Sequence, residues 1–176
     1  MNTTKWSIDP THSEIGFKVK HMMFTNVSGN FTDFNASVLT EDENFENAKF
    51  DFSTTIDSVT TGNTDRDNHL KSGDFFDIEK FPKMTFTSTA FTKKSDGEYT
   101  LTGNLTVRDT TNPVNLDVDF GGIGKDPWGN IKAGLSATGK LNRKDFGLTW
   151  NSALETGGVL VGEEIKLNIE LQFVKE

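Results

Sequence analysis

The 176-residue sequence contains no cysteine, which excludes disulfide bonds and thiolate catalysis. It also lacks any run of Lys and Arg, and its formal net charge is −8. A nucleic-acid-binding surface needs clustered basic residues, and an anionic membrane surface would repel the chain as a whole. No stretch approaches the ~20 apolar residues of a membrane-spanning helix. We therefore expect neither a nucleic-acid partner nor insertion into a membrane.

The beginning of the chain lacks the apolar run of a signal peptide, since residues 1–6 are mainly polar. We therefore expect a soluble cytoplasmic protein, or a periplasmic one if a leader has been removed. The chain is long enough to bury a full hydrophobic core, and a single domain over residues 1–176 is expected.

Tyrosine is nearly absent as well, whereas phenylalanine is abundant: the chain has 1 Tyr and 3 Trp against 15 Phe. A phenyl ring has no polar tip and is therefore suited to a dry interior. The abundance of Phe indicates either a large filled core or an apolar cavity, and residue types alone do not separate these two alternatives.

Apolar residues alternate with polar ones along most of the chain, which is the period of a half-buried β-strand. The alternation is clear at residues 14–22, 48–59 and 165–173. It predicts about eight or nine amphipathic strands joined by short turns, a pattern typical of an antiparallel barrel or sandwich.

Three polar or glycine-rich segments, residues 40–47, 108–113 and 121–124, are predicted to be loops or turns. Residues 143–158 are also predicted to be irregular. Several inward positions carry small residues, which either leave room for a ligand or match the taper of a barrel. These positions are Gly29, Ser88, Ala90, Gly103, Ala133 and Ala137.

The strand period breaks in the middle of the chain, where a short helix is predicted over residues 65–72. Thr64 and Asp67 have the spacing of an N-terminal capping arrangement, and Gly73 is a plausible stop. The helix is expected to deliver Leu70, Phe75 and Phe76 to a core that is otherwise built from strands. Asp67 is interpreted as a helix-start charge, and Arg66 as one side of an ion pair that holds the helix on the barrel.

Four blocks of sequence occur in order along nearly the whole chain: residues 6–19 (WSIDPTHSEIGFKV), 66–77 (RDNHLKSGDFFD), 103–108 (GNLTVR) and 143–147 (RKDFG). Together these blocks resemble the signatures of the YceI-like family. The family usually has Gly directly after the third block, where this chain has Asp109, so the resemblance leaves the geometry of that turn open.

The resemblance implies an all-β fold, an extended lipocalin-like antiparallel β-barrel of about eight strands with a short helical insert. It also implies binding, storage or transport of a long-chain polyisoprenoid, or of a related quinone-like amphiphile, inside the barrel without catalysis. No cofactor is implied besides the bound isoprenoid lipid. A homodimer is left open.

A binding cavity would use the inward faces of the strands, and core packing is the alternative for each residue on those faces. Arg66 and His69 are candidates for contact with the lipid head group. The candidates for contact with the apolar ligand are Phe17, Val19, His21, Phe31, Phe50, Phe52, Ile56, Leu70, Phe75, Phe76, Phe86, Leu101 and Leu116.

Two other functions remain open at the level of sequence. One is an enzyme that acts on a small amphiphile in the same cavity, with His69 or His21 as the base. The other is a stress-related interaction protein whose barrel is filled. A metal site built from His12, His21 and His69 is not expected, because these residues lack the short-range spacing of metal-ligand pairs.

Overall fold

The computed structural model describes residues 2–154 and 158–176, and its strands belong to one antiparallel sheet that closes on itself. Short 3₁₀ turns occur at Pro10–His12, Ile56–Ser58 and Arg143–Phe146. The other elements are β1 (Thr3–Ile8), β2 (Glu14–His21), β3 (Thr25–Phe31), β4 (Phe34–Glu41), β5 (Asn44–Thr55), β6 (Val59–Thr60), α1 (Thr64–Lys71), β7 (Lys83–Ser95), β8 (Glu98–Val107), β9 (Thr110–Lys125), β10 (Ile131–Asn142) and β11 (Val161–Lys175).

The described strands combine into eight long barrel strands, three of which are interrupted once. The interrupted strands are β1 with β2, β3 with β4, and β5 with β6, and they break at residues 9–13, 32–33 and 56–58. Pairing continues across the breaks, because β1 pairs with β4 while β2 pairs with β3. β11 closes the barrel by pairing with β10 on one side and with both β1 and β2 on the other. The predicted barrel of about eight strands with a short helical insert is therefore confirmed.

One end of the barrel, the closed end, contains the turns at residues 42–43, 96–97 and 126–130 and is filled by aromatic side chains. Trp6, Phe45 and Phe120 form a chain of ring contacts, with centroids 5.0 and 4.8 Å apart. Tyr99 contacts Phe120 edge-on and is itself stacked on Phe91, with ring centroids 4.5 Å apart. These contacts bury apolar area and exclude water from this end of the barrel.

The opposite end, the open end, contains helix α1 and the chain segment that follows β10. Helix α1 occupies Thr64–Lys71, so the predicted helix over residues 65–72 is confirmed to within one residue. Its N-cap is Asn63, whose side chain accepts a hydrogen bond from the Arg66 backbone at 3.0 Å, rather than the predicted Thr64. In the described residues, no helix has both the length and the apolar character needed to cross a membrane.

The predicted ion pair of Arg66 is wrong, because this guanidinium donates instead to the hydroxyl and the carbonyl of Thr61, both at 2.7 Å. Asp67 accepts from the Thr61 backbone and hydroxyl at 2.8 and 2.6 Å. The ion pair that joins α1 to the barrel is formed by Lys71 and Asp57, with nitrogen and oxygen 3.1 Å apart.

Three predicted loops are mostly strand. The acidic segment 40–47 contains only a two-residue turn between β4 and β5, because Phe45 is buried against the Trp6 ring. At residues 108–113, β9 already begins at Thr110. At residues 121–124, β9 continues with a bulge opposite Gly134 and Leu135. Residues 155–157 of the predicted irregular segment lie outside the described residues.

Some of the small inward residues are in contact with neighbouring aromatic rings and do not border empty space. A Cβ atom at Gly29 would overlap the ring of Phe17, and one at Gly103 would overlap the ring of Phe86. The inward placement of Ala90 is wrong, because a bulge after Ser88 changes the face of the strand and exposes this alanine.

Candidate ligand-binding site

An apolar cavity of about 310 Å³ lies inside the barrel, between the aromatic closed end and helix α1. Its wall is made by the inward faces of strands from all sides of the barrel, and its roof by side chains of α1 and of the loop after it. Most of the predicted ligand-contact residues line this cavity: Phe17, Val19, His21, Phe31, Phe50, Phe52, Leu70, Phe75, Phe76, Phe86, Leu101 and Leu116.

Ile56 is the exception, because it is fully buried and does not line the cavity. The chain leaves the strand at this residue and enters the 3₁₀ turn Ile56–Ser58, so the alternation of β5 does not continue to it. Ile56 instead packs with Ile15, Phe31 and Val59 in a separate, smaller core cluster.

Sequence reasoning missed a whole side of the cavity, which is formed by the inward face of β11. This strand has a regular alternation of apolar and polar residues, so the signal was present in the sequence. Alternation shows which residues point inward, but it does not show whether they meet a ligand or other side chains. The β11 residues that line the cavity are Ile165, Leu167, Ile169, Leu171 and Phe173.

Arg143 was also missed, although it lies in one of the blocks that carry the family resemblance. Its side chain is only 2% exposed, and it lines the cavity. Its guanidinium donates to the carbonyls of Leu148 and Trp150 at 2.7 and 2.9 Å. It also donates to the carbonyls of Gly162 and Val161 at 2.8 and 3.2 Å. Arg143 thus fastens the segment after β10 to the start of β11, and Leu148 and Trp150 become part of the cavity wall.

The charge of Arg143 has no hydrogen-bonded carboxylate partner among the described residues. Burial lowers the pKa of this guanidinium, and the nearby Glu163 carboxylate opposes that shift. Arginine keeps its proton under such conditions. The cavity wall therefore holds a positive charge at the open end, 6.0 Å from the centroid of the Phe75 ring.

The two predicted head-group residues, Arg66 and His69, both line the cavity at its open end. The His69 Nε2 atom lies 2.9 Å from the Asp74 carboxylate, and its ring packs edge-on against Trp150 and Phe75 at 4.6 and 5.0 Å. Thr61, which holds Arg66, also lines the cavity. The polar groups of the site are thus concentrated around its mouth.

The three histidines do not form a metal site. His12 lies between β1 and β2, where its Nδ1 atom is 2.9 Å from the Asp9 carboxylate, whereas His69 pairs with Asp74 at the open end. Within residues 2–154 and 158–176, no group of three or more potential ligands has a metal-binding arrangement.

Comparison with known sequences gives a consistent family assignment. The family model of the YceI-like domain matches residues 6–173. A UPF0312 protein of Staphylococcus aureus strain MSSA476 is 38% identical over 171 residues, which cover 97% of each chain.

Comparison with solved structures supports the same architecture. The YCEI protein of Campylobacter jejuni is 36% identical, with a TM-score of 0.77 over 89% of this chain and 90% of that one. BcnA of Burkholderia cenocepacia is 20% identical, with a TM-score of 0.81 over 94% and 98%. A domain from Saccharophagus degradans described as polyisoprenoid binding is 11% identical, with a TM-score of 0.67 over 97% and 98%. The last two similarities are evidence of a shared fold only.

Proposed function

The chain belongs to the YceI-like family, and from this premise we propose that it binds a long-chain isoprenoid lipid, or a related amphiphile, in its barrel and stores or carries it. The observation that carries the proposal is the apolar cavity of about 310 Å³ with polar groups at one end. The description of the Saccharophagus degradans domain as polyisoprenoid binding agrees with this proposal by analogy of fold.

An isoprenoid tail matches the wall of the cavity because neither of them needs hydrogen bonds. Burial of such a chain is favourable by roughly 25 cal/mol per Å² of apolar area. The phenyl rings of Phe17, Phe50 and Phe86 offer this surface without a buried polar atom. The tail would therefore lie toward the closed end of the barrel.

The mouth of the cavity supplies the polar contacts that a head group requires. Arg66 and Arg143 carry positive charge there, and the guanidinium of Arg66 has N–H groups besides the two that donate to Thr61. Hydrogen bonds from cationic donors favour a head group that bears oxygen acceptors. A quinone-like ring fits this description, and its carbonyl oxygens would lie near Arg66 and His69.

The cavity volume sets a limit on how much lipid is enclosed. About 310 Å³ is near the lower end of the range for small-molecule pockets, which is roughly 300–1000 Å³. A long tail would therefore extend through the mouth or displace mobile side chains. We expect affinity to rise with the number of isoprene units until the cavity is full and to level off afterwards.

Two alternative functions receive less support. A filled barrel would have no cavity, whereas this barrel has one. A catalytic function would need His21 or His69, which both line the cavity, to act as a base, whereas the burial of an apolar tail needs no proton transfer. We therefore propose binding without turnover, and a histidine variant such as His69→Ala is expected to change head-group affinity only.

Trp150 provides a direct test of ligand binding, because it lines the cavity while Trp128 lies exposed at the closed end. Titration with geranylgeraniol or a prenylated quinone is expected to change the tryptophan emission in a saturable way. The change should persist in Trp128→Phe and disappear in Trp150→Phe. An unsaturable change, or one that survives in Trp150→Phe, would count against binding in this cavity.

A further inference from the structure

Three consecutive large apolar side chains are exposed at the turn between β2 and β3. Met22, Met23 and Phe24 are 43%, 58% and 79% exposed, and Val159 is exposed beside them. Met23 packs over Gly158, next to this valine. We call the residues Met22–Phe24 the apolar tip. Exposed apolar clusters of this kind mark sites of interaction with other molecules or with membranes.

The fold of the turn does not explain these residues. Met22 and Met23 have φ angles of 53° and 65°, and the Phe24 N–H donates to the His21 carbonyl at 3.3 Å. Such a hairpin turn with two left-handed residues favours Asn and Gly, because a larger side chain is strained there. Methionine at both positions therefore opposes the local preference of the backbone, and both side chains remain largely exposed.

The apolar tip is continuous with the mouth of the cavity. His21, directly before the tip, lines the cavity and pairs with Val161, which also lines it. The Met22 N–H donates to the carbonyl of Leu160, another lining residue, at 2.8 Å. A ligand that leaves the cavity on this side therefore meets the tip first.

The charge around the apolar tip differs from that of the whole molecule. Residues 15–32 include Lys18 and Lys20 but no Asp or Glu, in a chain whose net charge is −8. On the neighbouring strand β11, Lys166 lies directly opposite Lys18. Glu163 and Glu164 lie in the irregular stretch of β11 opposite Lys20, so the attraction to an anionic surface is confined to the hairpin that bears Lys18 and Lys20. At this hairpin the two lysines therefore oppose the repulsion expected from net charge alone.

The shape of the apolar tip favours a lipid surface over a protein partner. A stable protein interface buries about 800 Å² on each side. Three residues on a convex hairpin turn provide only a small part of this area. Insertion into the interface of a bilayer needs no complementary pocket, only apolar side chains beside basic ones.

We propose that the apolar tip docks the open end of the barrel onto an anionic lipid bilayer, so that the cavity mouth faces the membrane. The docking deepens the proposed function, since an isoprenoid dissolved in a bilayer would enter and leave the barrel at this surface. Docking itself does not require a bound ligand, so the two proposals can fail separately.

The docking is tested by flotation of the protein with phosphatidylcholine–phosphatidylglycerol vesicles. The double variant Met23→Ser/Phe24→Ser is expected to weaken partitioning by roughly tenfold, because it removes the inserted apolar area. Trp128→Ser is the matched control, since Trp128 is 83% exposed on a turn at the closed end. Equal partitioning of these two variants would overturn the proposal.

Two further variants separate docking from folding and from charge. Met22→Asn/Met23→Gly relieves the turn, so its melting temperature should not fall while its partitioning does. Lys18→Glu/Lys20→Glu should weaken partitioning on anionic vesicles by about fivefold or more and leave pure phosphatidylcholine unaffected. Lys94→Glu, near the closed end, is its control. The proposal is contradicted if either Met22→Asn/Met23→Gly or Lys18→Glu/Lys20→Glu partitions onto anionic vesicles like the wild type.

The relation to ligand binding is tested with geranylgeraniol offered in two ways. Met23→Ser/Phe24→Ser should bind ligand added from ethanol like the wild type and take it up more slowly from vesicles. If neither protein binds ligand added from ethanol, the proposed function fails while flotation still tests docking. A wild-type protein that self-associates through the tip and does not float would assign this surface to a second copy of the chain and overturn the proposal.

Discussion

Arg143 is a buried cation that is held by backbone carbonyls and in turn holds the wall of the cavity. Its four carbonyl partners belong to two chain segments, around Leu148–Trp150 and Val161–Gly162. Removal of the guanidinium takes a donor from each of these oxygens in an apolar environment, which is costly even though the Asn151 amide still donates to the Val161 carbonyl at 2.8 Å. The residue therefore links the stability of the fold to the shape of the site.

Arg143→Met is expected to lower the free energy of unfolding by about 3 kcal/mol and the melting temperature by roughly 6–12 °C. Arg108→Met is the control, because the half-buried guanidinium of Arg108 makes one hydrogen bond, to the Gly147 carbonyl at 3.3 Å, and lies 5.6 Å from the centroid of the Phe81 ring. Thermal unfolding followed by circular dichroism measures both. Similar losses in the two variants would show that the carbonyl network of Arg143 is not what stabilises the open end.

For single residues, the sequence predicts which side chains point into the barrel wherever the alternation of a strand decides it. Phe17 and Phe86 alternate with polar neighbours, and both point inward and line the cavity. Ile56 follows the same alternation in the sequence, but a 3₁₀ turn removes it from the wall. The burial of Arg143 depends on two segments that meet only in the folded chain, so no local pattern indicates it.

The junction between β1 and β2 is organised by Asp9, which caps the turn Pro10–His12. Hydrogen bonds from the Thr11 hydroxyl and the His12 ring, together with Lys132 at 3.3 Å, hold the pKa of Asp9 well below its usual value of 3.8. Because the folded-state pKa is the lower one, the carboxylate stabilises the fold above about pH 4. This contribution is lost as the pH falls further.

Asp9→Asn is expected to lower the free energy of unfolding by about 1–2 kcal/mol at pH 7. The difference from the wild type should shrink as the pH is lowered from about 5 toward 2, since the unfolded chain then binds a proton at Asp9 while the folded chain does not yet do so. Asp96→Asn, on an exposed hairpin turn, should have little effect at any pH. A wild-type advantage that persists unchanged at low pH would contradict the role of the Asp9 charge.

Whole elements were predictable where a change of period is visible in the sequence. Helix α1 interrupts two regions of alternation, and its position was predicted within one residue. The N-cap was not, because Asn63 and Thr64 are adjacent and both can accept the same kind of hydrogen bond. The strand at residues 44–47 was missed because its acidic composition resembles a loop, while the burial of Phe45 depends on the distant Trp6 ring.

The whole molecule is a barrel that is packed at one end and hollow toward the other. The distribution of aromatic rings explains this difference, since contacts such as those of Trp6, Phe45 and Phe120 fill the closed end. The barrel itself was predictable from alternation and from the family resemblance. The boundary between core and cavity was not, because the same residue types line both and only their three-dimensional packing separates them.

Native mass spectrometry of the purified protein, followed by organic extraction, tests the central claim most directly. We expect one isoprenoid lipid per chain, which extraction releases, in the wild type and in Thr138→Phe. Ala137→Phe should lose it, because Ala137 lines the cavity and a phenyl ring would occupy that space, whereas Thr138 is exposed on the same strand. A bare mass after incubation with polyprenyl lipids, or equal occupancy in Ala137→Phe, would contradict lipid binding inside the barrel.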